Sequence, residues 1–252
     1  MPTPSVINNY RWSDAISRTV WDTNYALDTF NMNPLSCMLA GGATSGTDGD
    51  TNVLITNQGL YEFTTIGTQT VLAPVIDDVG LNWAQTATED QGQEITVGRT
   101  ASSPFSFKIG TSAAFYLRTQ WTVKVVDGVL PLIVGFMITD TFEADFTDYT
   151  DYAMVGINDA DGALFTETNK GGAGEISVDT TQAAVDEVPF SLEVLVSKTG
   201  VATFLINGQA PLVTQAYTFR NGVTVVPVMR TVQSATTTDQ VSNSWFECGF
   251  QS

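Results

Sequence analysis

The stretch Thr141 to Tyr152, TFEADFTDYTDY, gathers the carboxylates Glu143, Asp145, Asp148 and Asp151 in one short segment. The chain has no His, so His-based acid–base catalysis, the usual serine and cysteine triads and most zinc sites are excluded. Any chemistry here rests on carboxylates, and the reaction open to a close pair of them is glycoside hydrolysis. One acts as nucleophile and another as acid, about 5 Å apart in a retaining site. On a strand, residues i and i+2 share a face, and a bulge brings i+5 alongside. That arrangement would turn Glu143 and Asp145 outward, with Phe142, Ala144 and Phe146 facing the core and Asp148 beside the pair. The surrounding TDYTDY reads instead as a polar loop, so the expectation is a solvated rim and a non-enzymatic protein. Tyr149 and Tyr152 are the aromatics at hand for stacking a sugar ring.

Two further acidic stretches have ligand-like spacing. In TDGDTN, Asp48, Asp50 and Asn52 alternate, but no distal Glu stands at the spacing a calcium loop requires. In NDADG, Asn158 to Gly162, the EF-hand register puts its first ligand on Ile157 and its twelfth on Thr168, so the motif fails. Both read as turns. GGAG, Gly171 to Gly174, lacks the Lys-Ser/Thr of a phosphate loop. No metal or other cofactor is expected. Cys37 and Cys248 read as two reduced, buried thiols, which could pair if the first and last strands are neighbours.

The net charge is −17, and from Asp127 to Glu193 fourteen acids face one base, Lys170. Such a polyanion is repelled by phosphate backbones and anionic lipid, so neither nucleic acid nor a membrane is an expected partner. The acidic face is either solvation, a cation site or a match to a basic partner. The longest apolar run, Gly128 to Ile138, is broken by Pro131 and Gly135 and is too short to span a bilayer as a helix. The N-terminus shows no basic segment followed by an apolar one, so no secretory signal is expected.

The elements that must position these residues are strands. In AFYLRTQWTVKVV, Phe115, Leu117, Thr119, Trp121, Val123 and Val125 fall on one face at period 2. In PFSLEVLV, Phe190, Leu192, Val194 and Val196 do the same. Turns at Lys198-Thr199-Gly200 and Asn207-Gly208 then predict an antiparallel meander through VATFLI. Strands are also read in NVLIT, YEFTTI, VLAPVI, EITV, FSFKI, PLIVGFMI, YAMVGI, VTVVPVM and SWFECGF. Residues 51–252 therefore form one all-β domain, an antiparallel jelly-roll sandwich. Residues 1–50 form an irregular N-terminal arm with one short helix near 13–24. Its aromatics, Tyr10, Trp12, Trp21, Tyr25 and Phe30, either cap the domain's own core or dock on a neighbouring subunit.

The segment GVATFLINGQAP…YTFRNGVTVVPVMRTVQS resembles the closing portion of laminin-G/concanavalin A-like sandwiches. Upstream, GLNWAQTATEDQGQEITVG, FKIGTSAAFYLRTQWTV, PLIVGFMITDTF and YAMVGINDADGALF resemble, in that order, tailed-phage virion proteins of this fold. The resemblance covers roughly residues 75–252. It implies a capsid decoration (cement) protein, located on the outer surface of the virion. Its partner would be the major capsid protein, and it would sit there as a homo-oligomer, a trimer being favoured. A carbohydrate-binding module of a tail or fibre is the other role the fold implies. Family 16 glucanases share the fold, with a signature resembling Glu-x-Asp-x-(x)-Glu. Here Asp148 stands a methylene short of the final Glu, and Ala144 replaces a large aliphatic residue.

Overall fold

The computed structural model describes residues 30–32, 37–39, 45–56, 60–69, 75–76, 81–83, 88–96, 106–159, 161–234 and 241–251. Tyr10, Trp12, Trp21 and Tyr25, and the helix expected near 13–24, lie outside them.

The described residues form two antiparallel sheets. In spatial order, the first runs Tyr217–Thr218 (β16), Val201–Ile206 (β15), Phe190–Val196 (β14), Phe115–Val123 (β9), Val241–Phe250 (β18), Leu81–Asn82 (β6) and Val75–Ile76 (β5). Phe30–Met32 (β1) also pairs with β18, Phe30 opposite Cys248. The second runs Glu175–Ala183 (β13), Ala163–Lys170 (β12), Asp151–Ile157 (β11), Val129–Ile138 (β10), Thr224–Gln233 (β17), Gly92–Thr96 (β7), Leu60–Ile66 (β4), Thr51–Thr56 (β3) and Cys37–Leu39 (β2). Phe107–Lys108 (β8) pairs with its middle strand β17. This is the jelly-roll sandwich read from the alternating strands. Residues 30–32 and 37–39 of the N-terminal segment supply one strand to each sheet.

Period-2 alternation decides which side chains meet between the sheets. In β9, Phe115, Leu117, Trp121 and Val123 are buried, and in β14 Phe190, Leu192, Val194 and Val196 are buried. They pack against Leu132, Val134 and Phe136 of β10 and Ala153, Val155 and Ile157 of β11 in one core. Aromatic pairs tighten it: Phe107 stacks on Phe115 at 4.3 Å, and Trp83 meets Trp121 edge-on at 5.0 Å. The meander β14–β15–β16 turns where expected. Asn207 and Gly208 take φ of 52° and 74°, the paired positive values that make Asn-Gly a tight hairpin turn. Gly171, Gly172 and Gly174 shape the β12–β13 connection, so GGAG is a hairpin turn. No helix among the described residues is long and apolar enough to cross a membrane.

Alternation also puts Ile133 and Met137 of β10, Tyr152 and Met154 of β11, and Val226 and Val228 of β17 on the far side of the second sheet. That face would be wet unless something covered it. It carries a second, smaller core instead.

Candidate functional site

The cover is residues 139–150, which connect β10 to β11 and include the first ten residues of TFEADFTDYTDY. It is not a strand. Phe146–Asp148 form a single 3-10 turn, and Asp145 caps it by accepting from Thr147 N and Oγ1, each at 2.9 Å. Phe146 and Tyr149 pack into the second core, with Phe146 edge-on to Tyr152 at 5.7 Å.

A buried ion pair fastens this cover. Arg230 of β17 and Glu94 of β7 are cross-strand neighbours on the outer face, 2% and 0% exposed, with Arg230 Nη1 3.2 Å from Glu94 Oε2. The guanidinium also donates to the carbonyls of Glu143 (2.9 Å) and Ala144. The Tyr149 hydroxyl lies within 3.3 Å of both Glu94 oxygens. Buried charges are tolerated when paired and hydrogen-bonded, and the loop supplies two further acceptors.

The four carboxylates of the opening stretch therefore part company. Glu143 lends its backbone to Arg230, Asp145 caps the 3-10 turn, and Asp148 is exposed. Asp151 is buried on the opposite face, where Arg220 Nε donates to it at 3.2 Å. The strand-borne arrangement with Phe142, Ala144 and Phe146 inward gives way because Arg230 binds the carbonyls of 143 and 144, and the chain turns at 146. Tyr149 and Tyr152 are fully buried, so neither offers a face for stacking a sugar.

Both calcium-like stretches are turns. Asp50 Oδ2 accepts from Thr47 N and Oγ1, and Asp161 Oδ1 from Ala163 N. Among the described residues, no three Cys, Asp or Glu side chains gather so as to hold a metal ion. Cys248 is a buried free thiol whose pKa burial pushes well up.

Beside the cover opens a cleft of about 640 Å³. The exposed carboxylates of Asp48, Asp90, Asp145 and Glu175 border it, together with Asn158 and the buried Arg230. Asp48 is held through one oxygen, which accepts from Gly67 N at 2.8 Å. Arg230 Nε has no hydrogen-bond partner among the described residues, although the side chain is almost wholly buried. One layer below, Glu167 of β12 is buried, its Oε1 accepting from Asn158 Nδ2 and Ser177 Oγ at 2.7 Å each. Burial, with the adjacent Glu175 carboxyl, pushes Glu167 up to about 8 against those two bonds. Burial and the charges of Glu175, Glu167 and Asp145 drive the Tyr152 hydroxyl upward as well. Reasoning from sequence passed over Arg230, Glu94, Glu167 and Glu175. The available signal was a lone charge inside an apolar strand, Arg230 in VVPVMRTV and Glu94 in QEITV.

No protein-family model matches the chain, and no curated protein matches it. Solved structures do. The carbohydrate recognition domain of Emp47p is 11% identical with a TM-score of 0.53, the match covering 85% of this chain and 98% of that domain. A protein of unknown function from Shewanella oneidensis MR-1 is 11% identical with a TM-score of 0.51, over 87% and 84% of the two chains. At such identities the likeness is one of fold: the chain is an antiparallel jelly-roll sandwich.

Proposed function

We propose that this protein is a carbohydrate-binding module that takes a neutral glycan in the cleft beside the 139–150 loop. One observation carries the reading: Arg230, whose buried Nε–H has no partner among the described residues, lines a cleft bordered by carboxylates. Sugar hydroxyls donate and accept at once, so a ring of acceptors around one fixed donor matches them. Uronates and sialic acids would meet four carboxylates and an arginine already paired with Glu94, so anionic glycans are disfavoured. The fold shared with a carbohydrate recognition domain is compatible with this use. The test is calorimetric titration with neutral hexasaccharides (cello-, laminari- and mannohexaose), repeated on Asp145→Asn and Glu175→Gln. Binding that both substitutions weaken by about tenfold or more supports the cleft. Binding that neither substitution changes refutes it.

A second reading, a virion structural protein docked as a trimer on the outer face of a capsid, draws on exposed apolar side chains. Ile176, Val185, Val188, Val201, Leu212 and Val213 are exposed, Leu212 at 94%, and an assembly would cover them. Copy number per purified particle tests it. Amounts comparable to the major capsid protein favour decoration, and absence from particles rules it out.

A further inference from the structure

Next to the cleft wall lies a buried carboxyl group with a second acid, Glu175, beside it. Glu167 faces the outer side of the second sheet, between Met154 of β11 and Ser177 of β13 in the strand register, and it is fully buried. Its Oε2 has no partner among the described residues, and neither has the buried Tyr152 hydroxyl. The groups that face it are Tyr152 from β11, Asn158 just beyond β11, and Glu175 and Ser177 from β13. Asp179, further along β13, is engaged with Thr181 N. The cation of the same cleft, Arg230, is committed to Glu94 and two loop carbonyls. Two of the neighbours, Asn158 and Glu175, line the cleft.

We propose that Glu167 is a positioning residue: protonated, it holds Glu175 and Asn158 in their places on the cleft wall, and loss of its proton releases Glu175 and closes the site to ligand. This rests on the glycan-binding reading above. In the protonated acid, Oε1 is a carbonyl that accepts from Asn158 and Ser177. Oε2 is then a hydroxyl, whose natural acceptor is the neighbouring Glu175 carboxylate. When the proton passes to solvent, two carboxylates face each other on adjacent strands, and like charges in a desolvated site repel. Glu167 cannot leave, because its whole side chain is buried and its Oε1 is doubly bonded. Glu175 is exposed and can swing into water. The titration near 8 puts this step at mild alkalinity.

The experiment is a pH series on the full chain by carboxyl-detected ¹³C NMR, with the three neutral hexasaccharides titrated in parallel. The expected result is a Glu167 carboxyl midpoint near 8, with the Glu175 signal moving in the same step. Affinity for the hexasaccharide that binds should fall by about tenfold or more from about pH 6.5 to about pH 9.5. In Glu167→Gln, an amide N–H replaces the acid's O–H toward Glu175, so its affinity profile should be flat across that range. A Glu167 midpoint below about pH 6 overturns the proposal, and so does a Glu167→Gln profile as steep as wild type. Should no hexasaccharide bind at any pH, the glycan reading falls by itself. The NMR series on the unsubstituted protein then still decides the positioning role: coupled movement of Glu175 near 8 supports it, and independent titration rejects it.

Discussion

Replacing Arg230 with Met should be among the most damaging single changes in the second sheet. The substitution keeps an unbranched apolar stem of similar length, so packing is largely retained, but the guanidinium is lost. Glu94, with no exposed surface, would then be a buried carboxylate deprived of its cation. Breaking a buried pair from one side costs about 3–5 kcal/mol. The loop loses its bonds at the Glu143 and Ala144 carbonyls in the same stroke, but these effects are coupled and do not simply add. Against a typical total of about 5–15 kcal/mol, the variant would be close to unfolding. The pair Arg230→Met with Glu94→Met removes the stranded charge and should recover about 2 kcal/mol or more of the loss. Urea unfolding at unchanged m-value is the assay. A cost for Arg230→Met below about 1 kcal/mol would contradict this role for the ion pair, as would a double variant no more stable than the single one.

Three other outcomes follow from the packing and burial. Gly156→Ala would drive a Cβ into the Leu132 carbonyl and against Ile133 Cα of the adjoining strand, costing about 1–3 kcal/mol in the same unfolding assay. Cys248 should resist iodoacetamide in the native protein and react only in denaturant, read by mass spectrometry of its peptide, because it is buried and its pKa is raised. Glu167 ties stability to pH: its folded pKa of about 8 lies above the usual 4.5, so the folded state keeps a proton that the unfolded chain has released between those values. Stability should therefore be highest below 4.5 as far as this group is concerned, decline as pH rises towards 8 and level off above it. Melting curves should show a shallower decline for Glu167→Gln.

The sandwich was readable because two of its strands display their burial outright. Phe115 to Val123 and Phe190 to Val196 each have one apolar face, and Asn207-Gly208 and Lys198-Thr199-Gly200 announce turns without tertiary help. β12 and β13 were missed for the converse reason. ALFTETNK and EISVDTTQA show no apolar stripe, since β13 lies at the sheet edge and the outer face near β12 carries Glu167 and Asn169. The cleft was illegible for a different cause. Glu94 and Arg230 are 136 residues apart in sequence, and nothing local pairs them. The acidic stretch at 141–152 drew attention by its charges, but its place is set by Phe146, Tyr149 and two backbone carbonyls. Density of carboxylates pointed to the right loop for the wrong reason.

The measurement that bears most directly on glycan binding in this cleft is a ¹⁵N NMR titration with the neutral hexasaccharides that follows the arginine Nε–H signals along with the backbone amides. With a glycan in the cleft, the Arg230 Nε–H resonance should shift as a ligand acceptor reaches it, together with the amides of Gly67, Ala144 to Thr147, Asn158 and Glu175. Saturable binding with these signals unmoved, or no binding by any of the three glycans, would contradict glycan binding in this cleft.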